Sequence, residues 1–107
     1  MDADDYPHLE QFLGAYFHQD WAAEGATWQQ VVAQFAARTD ANTVRAVLRD
    51  VARLLDVRLA DRDLQTLLEG LGCCYQLTEA DRAAAPWLRS VRLALGTALQ
   101  ARGLPPA

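Results

Sequence analysis

Apolar side chains recur along this chain at intervals of three and four residues, and each run ends at polar residues, Gly or Pro. From about Pro7 to His18, Leu9, Phe12, Leu13, Tyr16 and Phe17 fall at i, i+3, i+4, i+7 and i+8. That spacing makes one stripe of an amphipathic helix. Pro7 suits the first turn, where its missing N–H is not needed, and Asp4 and Asp5 lie where negative charge favours the helix dipole. Gly14 sits opposite the stripe at a cost of about 1 kcal/mol against Ala. Close approach of another backbone is the one reason the sequence offers for it.

Four more helices follow by the same reading. Thr27-Trp28-Gln29-Gln30 fits a capping box that opens a second helix, with Trp28, Val31, Val32, Phe35 and Ala36 as its stripe. Asp40 caps a third, with Val44, Val47, Leu48, Val51, Leu54 and Leu55 as core positions. A fourth begins at Ala60 or Asp61, carries Leu64, Leu67, Leu68 and Leu71, and ends at Gly72. The fifth begins between Asp81 and Pro86. It carries Trp87, Leu88, Val91, Leu95 and Leu99 and stops at Gly103, before Pro105-Pro106. No segment sustains a period of two. The best strand candidate, Cys73–Leu77, is short. The pattern predicts an all-α bundle of about five helices, one domain over residues 1–107, with residues 1–5 and 104–107 expected as flexible ends.

Composition narrows the picture. With 107 residues, 51% apolar and 22% charged, the chain can build a core without a disulfide or metal. Disorder and low-complexity classes are excluded. No apolar run approaches the length of a membrane span. The start Met1-Asp2-Ala3-Asp4-Asp5 is acidic where an export signal is basic, so a cytoplasmic protein is expected. All 10 basic residues are Arg, Lys is absent, and 14 Asp and Glu leave a net charge of −4. That balance opposes phosphate backbones as a bulk partner and suits a basic protein.

Catalytic chemistry finds little to work with. The single serine, Ser90, lies within the fifth helix pattern and lacks a Gly-x-Ser-x-Gly setting. Without Lys, neither Schiff-base chemistry nor a P-loop is open. Gly70-Leu71-Gly72 reads as a helix end, not a phosphate loop. Cys73 and Cys74 are adjacent, which does not give two convergent metal ligands; they read as free thiols. His8 and His18 are about 15 Å apart along one helix and do not meet. The reading is therefore of a protein with no catalytic residues, metal or cofactor.

Arg45, Arg49 and Arg53 recur every four residues, opposite the core of the third helix. They form either a solvated face paired with Asp50, Asp56 or nearby Glu, or a surface for phosphate or an acidic partner. On the second reading the chain is a small DNA-binding or adaptor protein. The outward residues of the fourth helix, Arg62, Gln65, Thr66 and Glu69, make a thin recognition surface for that role. Tyr16-Phe17-His18-Gln19-Asp20-Trp21 is the densest aromatic–polar string. It reads as a helix terminus packing into the core, or as a protein-contact patch.

Tyr6-Pro7, Leu9, Phe12, Gly14 and that string together resemble the N-terminal signature of bacterial contact-dependent growth inhibition immunity proteins. Leu67-Leu68-Glu69-Gly70-Leu71-Gly72-Cys73-Cys74-Tyr75 is similar to the family's Leu-Gly-Cys-Tyr-Tyr stretch, with Cys74 in place of an aromatic. Trp87-Leu88-Arg89-Ser90-Val91-Arg92 is similar to its final helix. The resemblance implies a cytoplasmic protein that binds and blocks the C-terminal toxin domain delivered by sibling cells. Such toxins are commonly nucleases, often tRNA-cleaving. A nuclease site is basic, so an acidic inhibitor can occupy it and associate quickly. Members face different toxins, so the shared string reads as scaffold. The contacts are expected on Asp56, Asp61 and Asp63 around the turn between the third and fourth helices, and on Glu69. For Asp61 and Asp63, helix capping is the alternative role.

Far-UV circular dichroism should show a helix-dominated spectrum, with a thermal midpoint that reductant leaves unchanged. A sheet-like spectrum, or melting on reduction, would contradict the pattern.

Overall fold

Each helix needs partners for the N–H groups of its first turn and the carbonyls of its last. The chain supplies some of these locally and others from distant residues. A computed structural model describes residues 5–18, 27–78 and 81–103. It contains α1 (Pro7–Tyr16), α2 (Trp28–Arg38), α3 (Ala41–Val57), α4 (Asp61–Gly70) and α5 (Ala84–Ala101), with no strand among the described residues. The all-α architecture expected from the periodicity is the one found. Residues 1–4 and 104–107 of the two expected ends, and Gln19, Asp20 and Trp21 of the aromatic string, lie outside the described residues.

The local caps are the ones the sequence announced. The N–H of Gln30 donates to Thr27 Oγ1 at 3.2 Å, and the N–H of Thr27 donates to Gln30 Oε1 at 2.9 Å, which closes the capping box of α2. At α3 the N–H of Thr43 donates to Asp40 Oδ2 at 3.0 Å and its hydroxyl to Oδ1 at 2.8 Å. Gly72, at φ 94°, ends α4. Around it the N–H of Cys73 reaches the Leu68 carbonyl at 3.1 Å, and that of Gly72 reaches Glu69 at 3.0 Å. This is the paired bonding of a Schellman turn.

Three other helix ends are finished from elsewhere. α1 begins after Tyr6, which offers no side-chain cap. The N–H groups of His8 and Leu9 instead donate to Asp50 Oδ2 of α3, at 2.9 and 3.0 Å. Asp50 is only 5% exposed. α5 begins after Ala83, again without a side-chain cap, and the N–H of Ala85 donates to Asp61 Oδ1 of α4 at 3.1 Å. At the far end of α5, Arg102 Nη1 donates to the carbonyls of Ala36 and Thr39 at 2.6 and 3.0 Å, closing the C-terminus of α2.

One core draws on all five helices. α5 packs against α2, α3 and α4, while α1 packs against α3 and α2. The radius of gyration is 12.9 Å, as a close-packed chain of this length requires. The stripes read from sequence point inward, except that Tyr16, Trp28, Leu55 and Leu67 are half-buried at the edge. Phe17 is fully buried and presents its edge to Phe12, Tyr75 and Trp87 at 5.7, 6.0 and 5.8 Å. Tyr75 stacks on Trp87 at 4.7 Å and 10°. Among the described residues no helix is long and apolar enough to cross a membrane.

The strand candidate Cys73–Leu77 is not a strand. It runs past the end of α1, and the N–H of Cys74 donates to the Phe17 carbonyl at 2.7 Å. α1 has already turned away into its own helix, so no ladder continues from that bond. The same passage brings Gly72 against Gly14. A Cβ placed on Gly72 would lie 3.3 Å from Gly14 Cα, whereas one on Gly14 meets nothing within 4 Å. The close approach expected at Gly14 is present, but Gly72 is the residue it constrains.

Two outcomes follow from these contacts. Asp50→Ala orphans the buried N–H of Leu9 and the partly buried one of His8 and should lower unfolding free energy by about 1–3 kcal/mol in denaturant titration, with Asp50→Asn costing less because it keeps an acceptor. Gly72→Ala, strained at positive φ and crowded by Gly14, should cost about 1 kcal/mol or more, whereas Gly14→Ala should stabilise by up to about 1 kcal/mol. A neutral Gly72→Ala would contradict the close approach.

Candidate partner-binding surface

α3 ends at Val57, and Arg58 caps it in the left-handed region, φ 60°, with its N–H on the Leu55 carbonyl at 3.1 Å. Non-glycine residues adopt this region at a cost of about 1 kcal/mol. The chain then passes through Leu59 and Ala60 into α4, and the first turns of α5 lie opposite. Between them is a groove of about 610 Å³ with leucines on its floor and Asp56, Arg58, Asp61, Arg89 and Arg92 on its walls.

The four acidic residues expected as contacts do not form one cluster. Asp56 and Asp61 share this groove. Asp61 is exposed, but its Oδ1 is engaged by Ala85, so its capping role is real and serves α5, not its own helix. Asp63 is exposed and turned about 200° from Asp61 around α4. Glu69 lies about 12 Å further along that helix, where it lines a second concavity with Gln65, Cys73, Cys74 and Tyr75.

That second concavity is braced by Asp81. The carboxylate accepts from the Tyr75 hydroxyl at 2.6 Å, the Thr78 N–H at 2.9 Å and the Thr78 hydroxyl at 3.1 Å. Burial pushes the Asp81 carboxyl up, but these hydrogen bonds outweigh it and hold it below its ordinary range. Burial, followed by the bond to Asp81, raises the Tyr75 phenol, so it stays a donor. Cys73 is buried and its thiol is pushed up to about 11, chiefly by burial. Both cysteines are free, and Cys73 is held as a neutral thiol of low reactivity.

The arginine stripe on α3 is partly absorbed by the fold. Arg53 Nη1 lies 3.5 Å from Asp50 Oδ1 and donates to the Asp5 carbonyl at 3.1 Å. Its guanidinium stands 5.3 Å from the centre of the Tyr6 ring. Arg45 is half-buried, with Nη1 3.5 Å from Asn42 Oδ1, and Arg49 is exposed. The pairing of Arg53 with Asp50 is the structural reading of the stripe. In the aromatic string Tyr16 is half-buried, Phe17 buried and His18 exposed, which fits a scaffold.

Arg58, Arg89 and Arg92 were not among the expected contact residues. The i, i+3 spacing of Arg89 and Arg92 was visible in the sequence. Their convergence with Arg58 needs the α3–α4 corner to pack beside α5.

None of the curated proteins is significantly similar to the chain. Two chains of known structure are. One belongs to the crystal structure of a CdiA-CT/CdiI complex from Y. kristensenii 33638, with 26% sequence identity and a TM-score of 0.78; the match covers 85% of this chain and 98% of that one. The sequence model of the CdiI immunity protein family matches residues 5–95. That span runs from the turn before α1 to within two turns of the end of α5 and includes the buried Phe17 and Trp87, the half-buried Tyr75 and the Gly14–Gly72 contact, so the chain belongs to the CdiI immunity protein family.

Proposed function

We propose that this chain is the immunity partner of a contact-dependent growth inhibition toxin. It binds the toxin's C-terminal domain in the cytoplasm, one to one and tightly, and blocks it with no turnover of its own. The observation that carries this reading is the family match over residues 5–95. The likeness to a chain found in a toxin–immunity complex, across 98% of that chain's length, supports it.

The toxin is a nuclease, and a tRNA-cleaving one fits best. A site that attracts phosphates is basic, and an inhibitor with net charge −4 meets it with electrostatic steering. Asp56, Asp63 and Glu69, all exposed, carry the steering charge, and Asp61 adds to it while holding α5. The DNA-binding alternative is weaker, because Arg53 is engaged with Asp50 and Tyr6.

The test is co-expression of the toxin domain with the wild type or with the Asp56→Asn/Asp63→Asn/Glu69→Gln variant, which spares the Asp61 cap. The variant should associate several-fold more slowly at low salt, with a flatter salt dependence and an unchanged helical signal. Equal association at every salt concentration would move the contacts elsewhere. A wild-type chain that neither binds nor protects would remove the immunity assignment.

A further inference from the structure

The geometry points to the groove between the α3–α4 corner and α5 as a docking site for an acidic, apolar-anchored segment of the partner protein. This rests on the immunity reading and specifies the chemistry of the partner at one site.

Three observations converge there. First, Arg58, Arg89 and Arg92 all line the groove, and among the described residues none of their guanidinium groups has a hydrogen bond or ion pair. Arg53 beside Asp50 and Arg102 on the end of α2 are used by the fold; Arg38, Arg49, Arg62 and Arg82 are exposed like the groove arginines, but they do not line this groove. Against the three cations stand Asp56 and Asp61, and Asp61 already accepts from Ala85. The first turn of α4, whose cap residue Ala60 contributes no side chain, adds positive potential, while the C-terminus of α3 works against it. A positive groove thus stands in a protein of net charge −4.

Second, Arg58 occupies a left-handed cap, φ 60°, where glycine is the unstrained choice. The fold gains nothing visible from a guanidinium there, because the cap bond to Leu55 uses only the backbone N–H. What Arg58 adds over glycine is a third cation on the groove.

Third, the floor is apolar. The half-buried Leu55 and Leu59 are its accessible apolar side chains, with Leu54 and Leu64 buried beneath them. Leu93, one turn beyond Arg89 on the same face of α5, is 73% exposed. Apolar floor, exposed leucine and guanidinium rim together match a protein segment that carries carboxylates beside an aliphatic or aromatic side chain. A nucleic acid backbone fits less well, since it calls for an extended basic track on a basic protein. The exposed acids therefore act mainly on encounter, and this groove on retention.

The experiment measures the full-length chain against the purified toxin domain, first as wild type, then as Arg58→Gly, as Arg89→Gln/Arg92→Gln and as the triple. Arg58→Gly should keep or raise the thermal midpoint while weakening binding, a pairing that a purely structural role for Arg58 would reverse. The triple variant should raise Kd about tenfold or more, mostly through faster dissociation. Arg89→Glu/Arg92→Glu should lose more, and changing the contacting toxin carboxylate to Arg should restore part of it. If the wild type binds and the triple binds within about twofold of it, the docking site is overturned and the immunity reading stands. If the wild type does not bind, both fall. The site is also overturned if the variants keep toxin binding but lose binding to a labelled RNA, or lose self-association in sedimentation.

Discussion

A buried carboxylate on one helix finishing the start of another is the contact on which this architecture depends. α1 enters through Tyr6 and Pro7, neither of which supplies a cap, and its free N–H groups at His8 and Leu9 are met by Asp50 of α3. A carboxylate at a helix N-terminus is favoured by the hydrogen bonds and by the dipole at once. Burial raises the stakes, since the Leu9 donor has no water to turn to. The same device recurs with the sign each end demands. Asp61 closes the N-terminus of α5, and the guanidinium of Arg102 closes the C-terminus of α2. The three contacts fix α1 on α3, α5 on α4 and α2 on α5. Apolar stripes alone leave helices freer to slide or rotate against one another.

Using charges this way changes what remains on the surface. Asp50 leaves the pool of solvated charges, and with the still-exposed Arg53 it forms one assembly with Tyr6. Asp61 serves the fold and faces the groove at the same time. Net charge therefore says less about the contact surface than it first suggests. The acids are spread along α4 and the end of α3, and a local excess of arginine sits among them. On the proposed reading, long-range attraction and short-range fit to a partner fall on different residues.

The interior is shared out differently. Phe17 contacts Phe12, Tyr75 and Trp87 edge-on, so one aromatic ties the end of α1 to the loop after α4 and to α5. The Gly72 turn lies against Gly14 in the same region, and backbones that close leave no room for a side chain at Gly72. Residues of this kind hold the scaffold together. Positions such as Asp56, Arg58, Asp63, Glu69, Arg89 and Arg92 are exposed, and their replacement leaves the core untouched.

The five helices, most of their boundaries and nearly all of the core were legible in the sequence, because a 3.6-residue period, a Thr-x-x-Gln box, Asp40 and the C-terminal glycines act over single turns. Phe17 as core and Arg53 beside Asp50 were likewise within reach of local spacing. The roles of Asp50, Asp61 and Arg102 were not, since each acts on a helix 24 to 66 residues away. Cys73–Leu77 carried strand-like residues but found no strand to pair with, because its neighbour there is the end of a helix. The expected acidic contacts were chosen from one turn and one helix. The helical screw of α4 spread them apart, and the packing of α5 beside the α3–α4 corner set arginines next to two of them. Periodicity determined which residues fold into the core; only the assembled bundle decided which charges meet at its surface, because that meeting depends on contacts between helices that no local spacing encodes.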